Sequence, residues 1–260
     1  FVNKMDKLGA DFQRTIDSIA HRLNAHPVAI QIPMGAEDSF RGVIDLIEEK
    51  ALLYPDDKPR IVPLEGPVPE ELIEDFRVYR DLMVEKIAET DDKLIVKYLE
   101  GREITKAEIK SALRKATTEY RLVPVICGSA LQNRGIQPLL DAIGDFLPSP
   151  LDVPHAKGKD LMTGEEITRA PSEDAPFAAL AFKAVSDPFV GRLVYIRVYS
   201  GKIKTGSMVF NANARKRERL GRILRVHAQH REDLEEVGVG DIAAAVGIKN
   251  ASTGDTICDE

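Results

Sequence analysis

Apolar positions along this chain follow two rhythms in succession, first the three-and-four spacing of helices and then the alternation of strands. Phe12, Ile16, Ile19, Ala20 and Leu23 recur at helical intervals behind Asp11, a side chain suited to capping a helix start. Asn24 and Pro27 end that helix, and Val28 to Ile32 reads as a strand. Phe40 to Leu46 and Ala51 to Tyr54 read as two more, with Pro55-Asp56-Asp57 turning after them. A helix striped by Leu72, Phe76, Tyr79, Met83 and Ile87 opens on Glu70, Glu71, Glu74 and Asp75, the charge sign favoured at a helix start. Thr90-Asp91 caps a short helix with Leu94, Ile95, Tyr98 and Leu99, closed by Gly101. Thr105 to Glu108 spells a capping box for a helix with Ile109, Leu113, Ala116 and Tyr120 on one side. Leu122 to Cys127 is another apolar strand, followed by a helix with Ile136, Leu139, Leu140, Ile143 and Phe146 that Pro148, Pro150 and Pro154 stop.

From residue 148 to 175 the periodicity fades into Pro, Gly, Lys, Asp and Thr, which predicts a linker or extended surface segment. Beyond Pro176 the text is strands punctuated by glycine turns. Val194, Ile196 and Val198 alternate with Tyr195, Arg197 and Tyr199, and Ser200-Gly201, Thr205-Gly206, Gly238 to Gly240 and Thr253 to Asp255 mark the turns. Short strands at such intervals predict an antiparallel β-barrel over 176–260.

Length and composition change this picture little. At 260 residues the chain exceeds one ordinary core, so two or more domains are expected. The net charge of −6 argues against a protein basic all over but leaves room for a local cationic face. Cys127 and Cys258 have no metal-ligand or disulfide-framework spacing and read as buried thiols of a cytoplasmic protein. No apolar run reaches membrane-spanning length, so no membrane partner is expected. The chain opens on Phe1 inside an apparent strand and closes just after another, which reads as a segment of a longer protein.

The chemistry lies where two of the strands end. Phe1-Val2 runs into Asn3-Lys4-Met5-Asp6, and Leu122 to Cys127 runs into Gly128-Ser129-Ala130-Leu131. An ionised carboxylate accepts two parallel hydrogen bonds, as Asp6 would from N1–H and the exocyclic amine of guanine. The Asn3 amide is placed to donate to O6 or N7, Lys4 to lay its stem over the purine, Ser129 to buttress Asp6, and the Ala130 N–H to reach O6. Adenine offers Asp6 an acceptor at N1 and no amine at C2, so a site built this way rejects it. All of residues 7–127 separate the two turns, where one helix and one strand need about 30 residues. A large insert is therefore expected.

The stretches 1–11, 31–46 and 124–133 together closely resemble the GTPase domain of the bacterial translation elongation factor G family, and the resemblance continues to the C-terminus. It implies an α/β fold, namely a partial P-loop GTPase domain with an α+β insert, followed by an all-β antiparallel barrel. The implied boundaries are 1–30 and 121–147 for the GTPase part, 31–120 for the insert, 148–175 for the linker and 176–260 for the barrel. It also implies GTP or GDP as ligand, with Mg²⁺ in the intact protein, and a monomer that drives tRNA and mRNA translocation on the ribosome. The barrel would meet small-subunit RNA and the insert the acidic stalk protein of the large subunit. Leu131 stands where many smaller GTPases carry Lys and matches the elongation factor G form. The chain holds no G-x-x-x-x-G-K-[ST] cradle and no switch residues, which by family order precede Phe1. These residues alone are thus expected to be inactive in hydrolysis. A ribosomal protection protein of the same class, or a non-hydrolysing ribosome- or RNA-binding adaptor, are the alternatives.

Three further patterns carry candidate chemistry. Arg215, Lys216, Arg217, Arg219, Arg222 and Arg225, near Lys202 and Lys204, read either as a solvated strand face or as contacts for RNA phosphates, and the resemblance favours RNA. His227 and His230 beside Glu232 and Asp233 lack the order and third ligand of a zinc site, so no metal is expected there. Gly238 to Ala243 imitates a dinucleotide fingerprint but enters a strand instead of opening a helix.

Overall fold

The computed structural model describes residues 1–55, 62–187, 190–228 and 230–259, in two compact units that divide between Leu147 and Pro148. Asp56 and Asp57 of the expected turn lie outside the described residues.

In the first unit, α1 (Phe12–Leu23) begins where the Asp11 carboxylate accepts the Arg14 N–H at 2.9 Å, and ends at Asn24 in the left-handed conformation. The next apolar run is one stretch of backbone shared by two sheets. β1 (Pro27–Ala29) and β2 (Gln31–Met34) meet at Ile30, whose N–H donates to the Val125 carbonyl while its own carbonyl accepts from Leu46. β2 continues antiparallel into β3 (Gly42–Asp45), β4 (Lys50–Leu53) and β5 (Leu64–Gly66), the last of which the apolar pattern did not indicate.

Three helices follow. α2 (Ile73–Ala88) buries Met83, Val84, Ile87 and Ala88; α3 (Asp92–Leu99) buries Leu94; α4 (Lys106–Thr118) buries Ile109, Ala112, Leu113 and Ala116. Asp91 caps α3 through two N–H groups. The capping box of α4 is formed in both directions, Thr105 Oγ1 accepting from Glu108 N and Glu108 Oε2 from Thr105 N. Lys97, 2.6 Å from the same carboxylate, together with the Thr105 groups holds Glu108 down at about 2.

Several positions depart from the expected stripes, Leu23 at the end of α1 among them. Leu99 is 77% exposed, and Tyr120 is 89% exposed because the chain turns left-handed there, beyond the last turn of α4.

β6 (Val123–Val125) pairs in parallel with β1, and Val2 bridges in parallel to Cys127 beside it. α5 (Ile136–Phe146) starts at Gly135 and buries Phe146, with Leu139 packed alongside. Leu140 and Ile143, expected on the buried stripe, are exposed, while α5 packs against α4. One core runs from Met5 to Phe146 and takes in residues of every helix of this unit, so the insert and its host share their interior.

The second unit opens on the segment expected as a linker or extended surface segment. Residues 148–175 contain the hairpin β7 (Ala156–Lys159) and β8 (Glu166–Arg169), whose turn is set by Asp160 accepting from Met162 and Thr163 N–H and by Gly164 in the left-handed region. Its strands bury no residue, so hydrophobic alternation had nothing to report.

The remaining strands are β9 (Ala178–Asp187), β10 (Gly191–Ser200), β11 (Lys202–Lys204), β12 (Met208–Asn211), β13 (Lys216–Arg219), β14 (Arg222–His227), β15 (His230–Leu234), β16 (Glu236–Gly238), β17 (Ile242–Val246) and β18 (Thr256–Cys258). Eight of them form one antiparallel sheet in the order β13-β12-β18-β9-β10-β17-β14-β15, and β11 pairs with β16. Val209 near one edge and Ile223 near the other enter the same core with Ile196 and Ile257, so the sheet curls around a single interior as expected of a barrel. Buried Asn211 joins two loops to it, donating to Asp255 and accepting from Ala214 N–H. Both cysteines are free, and burial pushes both thiols up. Among the described residues no helix is long and apolar enough to cross a membrane.

Candidate functional site

The two strand-end turns converge. Val2 N–H donates to Ile126 O, Gly128 N–H to Val2 O, and Met5 N–H to Gly128 O at 3.1 Å, so the backbones of both turns are laced together. Asn3 ties the knot with its side chain, Oδ1 accepting from Lys4 N–H at 2.8 Å and from Ala130 N–H at 2.9 Å. With its oxygen engaged inward, the Asn3 amide nitrogen is the group left to act as donor. The Ala130 N–H, expected to reach a ligand oxygen, is instead spent on Asn3. Lys4 is held left-handed, at φ 65°, by this arrangement. It is exposed, and so is Leu131, at 84%. Met5 points the other way, into the core.

Asp6 is the unusual member. It is only 9% exposed, yet neither carboxylate oxygen accepts a well-aligned hydrogen bond from the protein. The fully buried Ser129 hydroxyl lies beside it and is the strongest influence holding its carboxyl below the usual range; Lys7, 3.1 Å from Oδ2, adds to this against the opposing effect of burial. Ser129 is itself fixed. Its N–H and carbonyl pair with Arg134 in a one-residue antiparallel bridge, and its Oγ accepts from Gln132 N–H at 3.4 Å. Asp6 is thus a buried, ionised carboxylate whose charge is met by Lys7 and the Ser129 hydroxyl. A separate cleft of about 460 Å³, lined among others by Gln13, Asp17, Lys86, Glu89 and Arg121, has no part in these turns.

Two residues that build the site were not singled out from sequence. Glu37 in the β2–β3 turn accepts the Gly9 N–H, and the Arg134 guanidinium donates to the Phe40 carbonyl. Neither carried a local signal, since each acts on a partner tens of residues away.

The cationic cluster on the second unit separates into two groups. Arg222 forms a two-pronged pair with Asp233 at 2.9 and 2.8 Å, which holds the Asp233 carboxyl down, and Arg225 pairs with Glu232 across the same hairpin. Arg215, Lys216, Arg217 and Arg219 are exposed at the β12–β13 end, where Arg219 reaches the Gly206 carbonyl. His227 and His230 face each other as partners closing the β14–β15 hairpin.

Fold and site together define a GTP-binding α/β domain followed by an antiparallel all-β domain, the pairing found in translational GTPases. The elongation factor Tu GTP binding domain family matches residues 1–149, and the chain belongs to it. Elongation factor Tu domain 2 matches residues 191–258. A crystal structure of a protein from Thermus thermophilus is similar over 100% of this chain, at 27% identity and a TM-score of 0.78. This chain spans 35% of that protein's length.

Proposed function

We propose that these residues are the guanine-reading part of a translational GTPase of the elongation factor G type, a cytoplasmic ribosomal translocase. The observation that carries this is Asp6: a buried carboxylate, kept ionised by the Ser129 hydroxyl and by Lys7, at the junction of the two strand-end turns. Guanine supplies N1–H and the exocyclic amine to its oxygens. Asn3 donates to N7 or O6 through its amide nitrogen, and Lys4 and Leu131 cover the two faces of the ring. Met5, Gly128, Ser129 and Ala130 contribute the frame. Hydrolysis and Mg²⁺ binding belong to the whole protein, and no residue of this chain is assigned to either.

Competition against fluorescent GDP in the full-length protein tests the assignment. GDP should displace the probe, IDP should bind more weakly by about tenfold or more for want of the amine, and ADP should fail at roughly 10⁴ times the GDP concentration. Equal competition by ADP would sink it.

The contact with small-subunit RNA is proposed for Arg215, Lys216, Arg217 and Arg219, with Arg222 secondary because Asp233 neutralises it. Changing Lys216 and Arg219 to Ala should flatten the salt dependence of ribosome binding by about two counterions. An unchanged slope would return this face to solvent. The insert's contact with the stalk protein is proposed from family resemblance.

A further inference from the structure

The turn between β2 and β3 belongs to the insert, yet it grips the guanine-reading turn at both ends. The Glu37 backbone N–H donates to the Met5 carbonyl at 2.8 Å, one residue before Asp6. The Glu37 side chain accepts the Gly9 N–H at 2.6 Å, three residues after it. Glu37, 31 positions away along the chain, thus ties both sides of the loop that carries Asp6, alongside the loop's own Lys7–Lys4 and Ala10–Lys7 bonds.

The turn that carries Glu37 is itself tightly wound. Glu37 is left-handed at φ 55°, a conformation a non-glycine side chain seldom adopts. Gly35 is left-handed too, and a Cβ there would lie 2.2 Å from the Ser39 carbonyl oxygen. The Ser39 hydroxyl donates to the Ala36 carbonyl at 2.7 Å, and Arg41 N–H to Met34 O closes the hairpin. The Phe40 carbonyl then receives the guanidinium of Arg134, the residue paired with Ser129. One turn thus braces both halves of the site: Glu37 the Asp6 loop, and Phe40, through Arg134, the Ser129 turn.

We infer that Glu37 is a positioning residue for base recognition, fixing the Asp6 carboxylate through the Met5 carbonyl and the Gly9 amide. The inference rests on the guanine-reading assignment above. Loss of the Glu37 carboxylate releases the Gly9 N–H and leaves the C-terminal side of the loop to the Arg14–Gly9 and Ala10–Lys7 bonds, so the Asp6 carboxylate no longer holds the position and angle that guanine's two donors require. A loosened Asp6 should penalise GDP more than IDP, because IDP lacks the amine and draws on one oxygen only.

The test compares Glu37→Ala, Glu37→Gln and Glu37→Asp in the full-length protein, with Asp6→Asn as the control for the underlying assignment. Fluorescent GDP should leave E37A about tenfold faster, and the GDP-over-IDP preference should shrink severalfold. E37Q keeps a carbonyl oxygen within reach of Gly9 and should recover most of both. E37D keeps the charge but falls short by one methylene and should resemble E37A; it also serves if E37A fails to fold. Hydrogen exchange at Gly9 should quicken in E37A and E37D and stay slow in E37Q. If D6N abolishes GDP binding while E37A and E37D leave rate and preference within twofold of wild type, the positioning role is overturned alone. Equal weakening of GDP and IDP would also overturn it, since that is what general loosening of the fold produces. Unchanged GDP binding in D6N would instead remove the guanine assignment beneath it.

Discussion

Replacing Asp6 by Asn should abolish GDP binding and create affinity for XDP. The carboxylate offers two acceptors to the N1–H and amine of guanine, whereas an amide offers one acceptor and one donor. Guanine's amine would then face the amide N–H₂, two donors in opposition, and the loss should reach roughly 10³-fold or more. Xanthine keeps N1–H but carries a carbonyl at C2, so it meets the acceptor with its donor and the donor with its acceptor. The substitution is nearly isosteric, but it removes the charge that Lys7 and the Ser129 hydroxyl favour, so the free protein should be slightly less stable than wild type above the carboxyl's titration range. Competition binding with GDP, XDP and IDP checks both halves, and the gain for XDP certifies that the variant is folded. A variant that still prefers GDP would mean that Asp6 faces no base.

The second large effect is expected at Gly128. A Cβ there would lie 2.3 Å from the Arg134 carbonyl oxygen and 2.9 Å from the Phe1 ring. The glycine cannot back away, because its N–H is bound to Val2 O and its carbonyl to Met5 N–H. The displacement must therefore fall on Arg134, and through the Ser129–Arg134 bridge on the hydroxyl beside Asp6. Gly128→Ala should destabilise the chain by about 1–3 kcal/mol, as other overpacked interior positions do, and weaken GDP by at least about tenfold. Gly144 in α5 provides the contrast. Nothing lies within 4 Å of a Cβ there, and Gly144→Ala should stabilise by about 0.5–1 kcal/mol. Thermal melts of the two variants should move in opposite directions. Coincident melts would show that the turn has room the geometry denies it.

Much of this arrangement was legible in the sequence wherever the cause is local. Asp11, Asp91 and Thr105 cap the helices they precede because the bonds they make span two or three residues. The meeting of the two turns was legible for a different reason: two apolar strands end in Asn-Lys-x-Asp and Gly-Ser-Ala, and the text around both resembles one GTPase family. What escaped depends on partners far along the chain or on polar strands. The hairpin β7–β8 and the strand β5 bury nothing, so no alternation marked them. The apolar spacing of α5 placed Leu140 and Ile143 on its buried stripe, but which of a helix's apolar residues are covered depends on the elements that pack against it. The engagement of the Ala130 N–H by Asn3 follows from a side-chain rotation that residue type leaves open.

Ile30 carries a consequence for how the molecule transmits force. Its amide belongs to the ladder with β6 and its carbonyl to the insert, so the handover between sheets occurs within a single residue and leaves no hinge. The β2–β5 sheet is therefore tied to the β1–β6 pair through one residue, beside the Val2–Cys127 bridge at which the two turns begin. The added lobe is in this sense a handle welded to the base of the pocket.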